Sequence, residues 1–90
     1  MQIVGYNWDS LNRHGTTPEM IDEVLAGSMV SSFQLDEADH ASEMIVGFTF
    51  SNRLLEIGVR YFSEEEVFIF HAQSASPQYK KLFLEDWKIG

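Results

Sequence analysis

Three histidines and a few cationic side chains are the residues of this sequence that could do acid–base chemistry. Metal-independent cleavage of an RNA phosphodiester needs one group to take the proton of the 2′-hydroxyl and a second to protonate the leaving oxygen. It also needs positive charge beside the phosphate. Histidine suits the first two roles because its ordinary pKa lies near ~6.5. The candidate catalytic residues are His14, Arg53, Arg60, His71, Lys80 and Lys81.

His71 and the two lysines are the candidates that the sequence could bring together. His71 ends a predicted strand, and Lys80 and Lys81 fall in the helix that follows, so all three could meet at one rim of the fold. The alternative interpretation is structural. His71 alternates with the apolar residues Val67 and Ile69, which is typical of a histidine that only caps a strand or a helix.

The other candidates also have structural interpretations. His14 near the end of a short helix would be a cation that interacts favourably with the helix dipole. Arg53 begins a strand just after a turn, where a solvated side chain is expected. Arg60 alternates with Glu56 along one predicted strand and could simply form a cross-strand charge pair.

A metal centre is a further alternative, because His40 lies close in sequence to three carboxylates, those of Asp36, Asp39 and Glu43. The sequence has no cysteine, and its histidines show neither the H-x-x-x-H nor the H-x-H spacing of a metal site. We therefore predict no metal and no cofactor.

Aromatic residues could stack on nucleic-acid bases, but their spacing favours a core. Tyr79, Phe83 and Trp87 repeat every four residues, as one stripe of a helix does. We predict that this stripe docks on a sheet and that Trp8 is buried.

Composition limits the class of protein. Ninety residues with 44% hydrophobic content predict one folded domain, and nothing in the sequence resembles a signal peptide or a membrane span. We expect a cytoplasmic protein.

Six Lys and Arg against fourteen Asp and Glu give a net charge of −8, which repels RNA at long range and suits a basic partner. A small domain without disulfides often gains stability by dimerising.

Capping and hydrophobic spacing predict three helices. The first runs over Ser10–His14, with Asp9 as its cap and Gly15 after its end. The second covers about Pro18–Ala26, and the third starts after Ser76-Pro77.

Apolar alternation predicts four strands. They are Met29–Leu35, Met44–Phe50, Leu54–Phe62 and Val67–Ala72, and Asp36–Ser42 is predicted to be a polar turn. Short links favour a four-stranded antiparallel meander, so the fold class is α+β with the last helix packed on the sheet. Both faces of the central strands carry apolar groups, which favours a homodimer.

Several segments resemble a known family in matching order. Trp8–Gly15 and the following Thr16–Leu25 are similar to the W-D…H-G-V-[ST]-P-E-E opening of BrnT-family toxins. Asp39–Gly47 resembles their acidic turn and second strand, and Asn52–Ile57 resembles their G-R-L-L-x-V strand. Val67–Ala72 falls where their last strand lies.

The resemblance implies a RelE-like fold, a ribonuclease activity and an inhibitory antitoxin partner. The chain departs from the family pattern at two places. Its first helix is short, and Gln73 stands where active-looking members carry the arginine of an S-A-R motif. Of the family's basic last helix, Lys80 and Lys81 remain.

Two hypotheses follow. In the first, the chain is an active endoribonuclease that binds RNA and is neutralised by a small basic antitoxin. In the second, it keeps the fold with weakened or lost catalysis and acts as a homodimeric or partner-binding module. Because glutamine cannot supply the cationic fork of arginine, Gln73 favours the second hypothesis, as does the charge of −8.

Overall fold

The computed structural model describes residues 1–36 and 39–87. Eight elements follow one another along the chain. They are β1 (Gln2–Tyr6), α1 (Trp8–Arg13), α2 (Pro18–Ala26), β2 (Val30–Asp36), β3 (Asp39–Phe48), β4 (Leu54–Tyr61), β5 (Glu66–Ser74) and α3 (Pro77–Asp86). Within these ranges, no helix has the length and apolar content needed to cross a membrane.

The strands form one five-stranded mixed sheet in the order β1-β5-β4-β3-β2. Consecutive strands from β2 to β5 pair antiparallel, whereas β1 pairs parallel with β5. The α+β class and the three helices are confirmed, but the predicted count of four strands is wrong. The missed strand is short, and its partner β5 lies more than sixty positions away along the chain, where local alternation cannot indicate it.

The first helix differs from its prediction, since it runs over Trp8–Arg13 where the sequence predicts Ser10–His14. Asn7, and not Asp9, caps α1: its side-chain oxygen accepts a hydrogen bond from the Ser10 N–H at 3.3 Å. Gly15 follows that helix with φ +62°, a backbone conformation that glycine adopts without strain. Thr17 caps α2 by accepting from the Met20 N–H at 3.2 Å.

The predicted turn over Asp36–Ser42 is also wrong in extent. β2 continues to Asp36 and β3 already begins at Asp39, so polar residues of this segment belong to the strands. Ser32 donates from its hydroxyl to the Glu43 carboxylate across this pair. Polar side chains are tolerated here because β2 is an edge strand.

One face of the sheet is closed by α1 and α2 over a purely aliphatic core. Leu11, Ile21 and Val24 of the helices have no exposed surface. The strand residues that pack with them are Ile45, Leu55, Ile57, Val59, Val67, Ile69 and Ala72. We call this the aliphatic face.

The other face is covered by α3. Phe83 is 1% exposed and contacts Phe48 edge-on at 5.5 Å between ring centroids, while Tyr79 and Trp87 pack beside it. This confirms the predicted docking of the aromatic stripe, and we call this the α3 face.

Trp8, in contrast, is 54% exposed, so its predicted burial is wrong. Its short helix turns only Ser10 and Leu11 inward.

Candidate functional site

A bulge in β5 determines where His71 points. Along the β4–β5 pair, Gly58 is opposite His71 but the next residue, Val59, is opposite Ile69, so Phe70 is extra. The bulge reverses the alternation, and Ala72 takes the place on the aliphatic face that His71 would otherwise occupy. His71 therefore shares the α3 face with the residues opposite it on β4.

Glycine at position 58 makes room for this bulge. A Cβ atom built there would lie 2.6 Å from the Phe70 ring, well inside contact distance. Gly58 is buried in the centre of the sheet, and the extra residue fits because its ring lies over a position without a side chain.

Glu56 orients His71. Its side chain reaches the His71 ring with Oε2 at 2.9 Å from Nε2, and the residue is only 4% exposed. The other oxygen, Oε1, accepts the Ser76 N–H at 2.6 Å, immediately before α3. One carboxylate from β4 thus joins β5 to the start of α3.

The charge of Glu56 is favoured where it lies. Burial by itself raises the pKa of this carboxyl, but the hydrogen bonds from Ser76 and His71 outweigh burial, and the pKa is lowered below its ordinary value of 4.5. Glu56 is therefore ionised at neutral pH. It holds the Nε2 side of the imidazole and fixes the orientation of the ring.

His14 lies against His71. The ring centroids are 6.1 Å apart and the planes are inclined by 69°, so one ring faces the other edge-on. Two bonds hold the segment carrying His14 to the bulged strand. Asn7 donates from Nδ2 to the Phe70 carbonyl at 3.2 Å, and Thr16 donates from Oγ1 to the Ala72 carbonyl at 3.1 Å.

Arg53 is an anchor for the loop after α1. Its Nη2 donates to the His14 carbonyl at 3.1 Å and its Nη1 to the Gly15 carbonyl at 3.2 Å. Its Nε donates to the Ser74 hydroxyl at 2.9 Å. The side chain was expected to be solvated, but it is half-buried and spans from the end of α1 to the end of β5.

The remaining candidates lie on other surfaces. Arg60 is opposite Ser42 and Phe68, four residues beyond Glu56 and roughly 13 Å further along the sheet. Lys80 and Lys81 are exposed on α3, where they line an open depression of about 490 Å³. The structure thus brings the rings of His14 and His71 together and places Arg53 against the His14 carbonyl, whereas Arg60, Lys80 and Lys81 lie on other surfaces.

The alternative metal site falls mostly on side chains that are not described, those of Asp36, Asp39 and His40. Glu43, its fourth member, accepts a hydrogen bond from Ser32. In the part of the chain that is described, no three histidine or carboxylate side chains are grouped as metal ligands.

Sequence reasoning missed the central residue of the site. The sequence indicates Glu56 only through its alternation with Arg60, yet Oε2 of Glu56 bonds to His71 and Oε1 accepts from the Ser76 N–H. The signal was available: Glu56 is a charged residue between Leu55 and Ile57 in an otherwise apolar strand segment, and buried charges are rarely without a partner.

The site holds a carboxylate-oriented imidazole beside a second imidazole, a pair that could donate and accept protons. The guanidinium of Arg53, which contacts the His14 carbonyl, is bound to three protein oxygens. A comparison of the chain with protein-family models gives no match, and a search of curated proteins gives no significant one.

Proposed function

We propose that this chain is a BrnT-like module with a RelE-like fold that acts by binding a partner protein, with its RNA-cleaving capacity weakened or lost. The observation that carries the proposal is that the Arg53 guanidinium is hydrogen-bonded within the protein. All three of its guanidinium nitrogens donate to protein oxygens at 2.9–3.2 Å. Three of the five N–H donors of this guanidinium are therefore used to hold the loop after α1 in place, which leaves it poorly placed to bind a transferring phosphate.

Gln73 supports the same proposal. It stands where the resemblance places an arginine, and a neutral amide cannot stabilise the charge that builds up on phosphate oxygens. A net charge of −8 also opposes the approach of RNA and favours a small basic protein. The exposed apolar side chains, among them Val4, Phe50 and Phe62, favour a second copy as the alternative partner.

Two measurements on the purified chain test this proposal. RNA incubated with it at low salt should stay intact. A small basic protein encoded beside it should form a complex whose affinity falls as salt rises. RNA cleavage by the native chain that is lost in His71→Ala would contradict the proposal. So would a second pair of results, in which the basic protein does not bind and the chain stays monomeric at high concentration.

A second candidate is the active, metal-independent endoribonuclease. The pairing of His14 with a Glu56-oriented His71 favours it. One neutral imidazole would take the 2′-hydroxyl proton as that oxygen attacks phosphorus. The other, as imidazolium, would protonate the departing 5′-oxygen, and a 2′,3′-cyclic phosphate would remain.

Growth and pH dependence separate the two candidates. An active enzyme should arrest growth when expressed, and a chain with His71→Ala and Lys80→Ala should not. Its cleavage rate should follow a bell-shaped pH profile, since one histidine must be neutral and the other charged. Equal growth with both chains would exclude the enzyme. The matched control is Glu64→Gln, in an exposed loop far from the pair.

A further inference from the structure

A cleft between β1 and α2 lies outside the histidine site. It has a volume of about 510 Å³ and is lined by Met1, Ile3, Tyr6, Asp22, Leu25 and Ala26. Two structural features produce it. Asp22, Leu25 and Ala26 are three and four positions apart on α2, so they share one side of that helix. A register shift in β1 at Val4 turns both Ile3 and Tyr6 toward the helices.

The cleft combines a short apolar wall with one carboxylate and one aromatic ring. Ile3 and Leu25 are half-buried and pack against the aliphatic core, which fixes the wall. Asp22 is exposed at the rim. Its carboxylate lies close enough to act on the Tyr6 phenol: burial raises the pKa of Tyr6, and the negative charges of Asp22 and then Glu19 raise it further.

Trp8 extends the aromatic surface. Its ring lies 5.1 Å from that of Tyr6, tilted by 43°, and the residue is 54% exposed although tryptophan is the largest apolar side chain. The Tyr6 ring thus lies near the negative charges of Asp22 and Glu19, and the Trp8 ring lies next to it. Ring faces attract cations, and the attraction is strongest for indole.

We propose that this cleft binds the side chain of a lysine or an arginine of a partner protein. The aliphatic stem would lie along Ile3 and Leu25, and the cationic head would lie between the Asp22 carboxylate and the aromatic rings. That the side chain comes from a partner protein rests on the proposed partner-binding function. Recognition of the cation itself rests on the cleft alone.

The size and charge of the cleft favour this occupant over others. The volume of the cleft is sufficient for a four-carbon stem, but Asp22 is the one carboxylate among the residues that line it, so a divalent metal would lack ligands. An anion would meet Asp22 and Glu19. In a chain with fourteen acidic residues and six basic ones, a basic partner also gains from long-range attraction.

The experiment uses the complete chain and two small probes. N-acetyl-lysine methylamide carries the ammonium, and N-acetyl-norleucine methylamide is its neutral counterpart with the same chain length. Amide chemical shifts in a titration should move for Tyr6, Asp22 and Leu25 with the lysine probe, at roughly millimolar affinity. The norleucine probe should bind at least about fivefold more weakly, the loss that ~1 kcal/mol of cation recognition represents.

Variants test the residues with a matched control. Asp22→Asn should weaken binding of the lysine probe about fivefold, and Trp8→Leu should weaken it less. Glu64→Gln makes the same change in net charge in a distant exposed loop and should leave binding unchanged. Equal binding of the two probes, or equal effects of Asp22→Asn and Glu64→Gln, would overturn the proposal.

A second arm separates this inference from the proposed function. If the lysine probe binds as expected but the basic partner protein does not, the cleft recognises cations and the partner-binding function fails. If the partner binds and Asp22→Asn leaves its affinity unchanged, the partner uses another surface. The proposal that the cleft binds a side chain of the partner then fails.

Discussion

The two faces of the sheet are built on different principles. The aliphatic face is closed by two helices over Leu, Ile, Val and Ala side chains, most of them with no exposed surface. The α3 face has one helix, aromatic packing around Phe83, and a hydrogen bond between the buried Glu56 carboxylate and the His71 ring. The aliphatic face supplies most of the apolar burial, and the α3 face holds the groups that could do chemistry.

This difference indicates how so small a domain can hold a buried carboxylate. Burying a charge is unfavourable unless it has partners, and Glu56 has two. Those partners are within reach only because the bulge turns His71 away from the aliphatic face and because α3 begins at Ser76. The polar site therefore depends on the bulge in β5, whereas the aliphatic face keeps its continuous apolar packing.

The largest expected effect is on the aliphatic face. Ile57→Ala would remove a side chain with no exposed surface from the centre of the sheet and leave a cavity. We expect a loss of roughly 2–5 kcal/mol in the free energy of unfolding, measured by denaturant titration. Leu54→Ala, a half-buried site on the α3 face, should cost less. Equal losses would remove the distinction between the faces.

The bulge can be tested with Gly58→Ala. The added methyl would meet the Phe70 ring at 2.6 Å, so the ring or the strand must move. We expect a loss of roughly 1–3 kcal/mol and altered chemical shifts at His71, by NMR. Gly15→Ala serves as a control, because it strains the backbone at φ +62° but meets no atom within 4 Å and should leave His71 unaffected.

Removing the charge of Glu56 should weaken the α3 face and change its pH dependence. Glu56→Gln keeps the shape of the side chain, and the expected loss at pH 7 is roughly 1–2 kcal/mol. The pKa of this carboxyl is lower in the folded chain than the ordinary 4.5. Its stabilisation is therefore complete above that value and is lost as the pH falls through the lower, folded-state pKa.

Unfolding measured between neutral and acid pH checks the sign. The difference in stability between the native chain and Glu56→Gln should shrink as the pH is lowered below about 4.5. A difference that stays constant through this range would mean that the charge of Glu56 contributes no stability.

The smallest expected effect concerns Arg53. Arg53→Lys keeps one positive charge but cannot make three donations from a planar fork. We expect a loss of about 1 kcal/mol and a loosened contact between His14 and His71, seen as weaker nuclear Overhauser effects between the two rings. An unchanged stability would show that Arg53 is free to bind other groups, against the proposed function.

Sequence reasoning performs well where the signal is local. The bounds of α2 follow from a proline, a capping threonine and a terminal glycine, and the aromatic stripe of α3 follows from its spacing. It fails where tertiary pairing decides. The parallel strand β1 depends on a partner far along the chain, and the side to which His71 points depends on an extra residue opposite Gly58. The sequence predicts His14 and Arg53 as candidate residues. It could not predict that Arg53 donates to the His14 carbonyl, because that bond depends on the tertiary fold.

The pairing of β1 with β5 also concerns the order in which the chain is made. Asn7 bonds to the Phe70 carbonyl, 63 residues further on. At a synthesis rate of 5–20 residues per second, the first strand must wait about 3 to 13 seconds for its neighbour. Contacts of such long sequence separation are also the slow ones to form. β1 can therefore enter the sheet only after β5 has been synthesised.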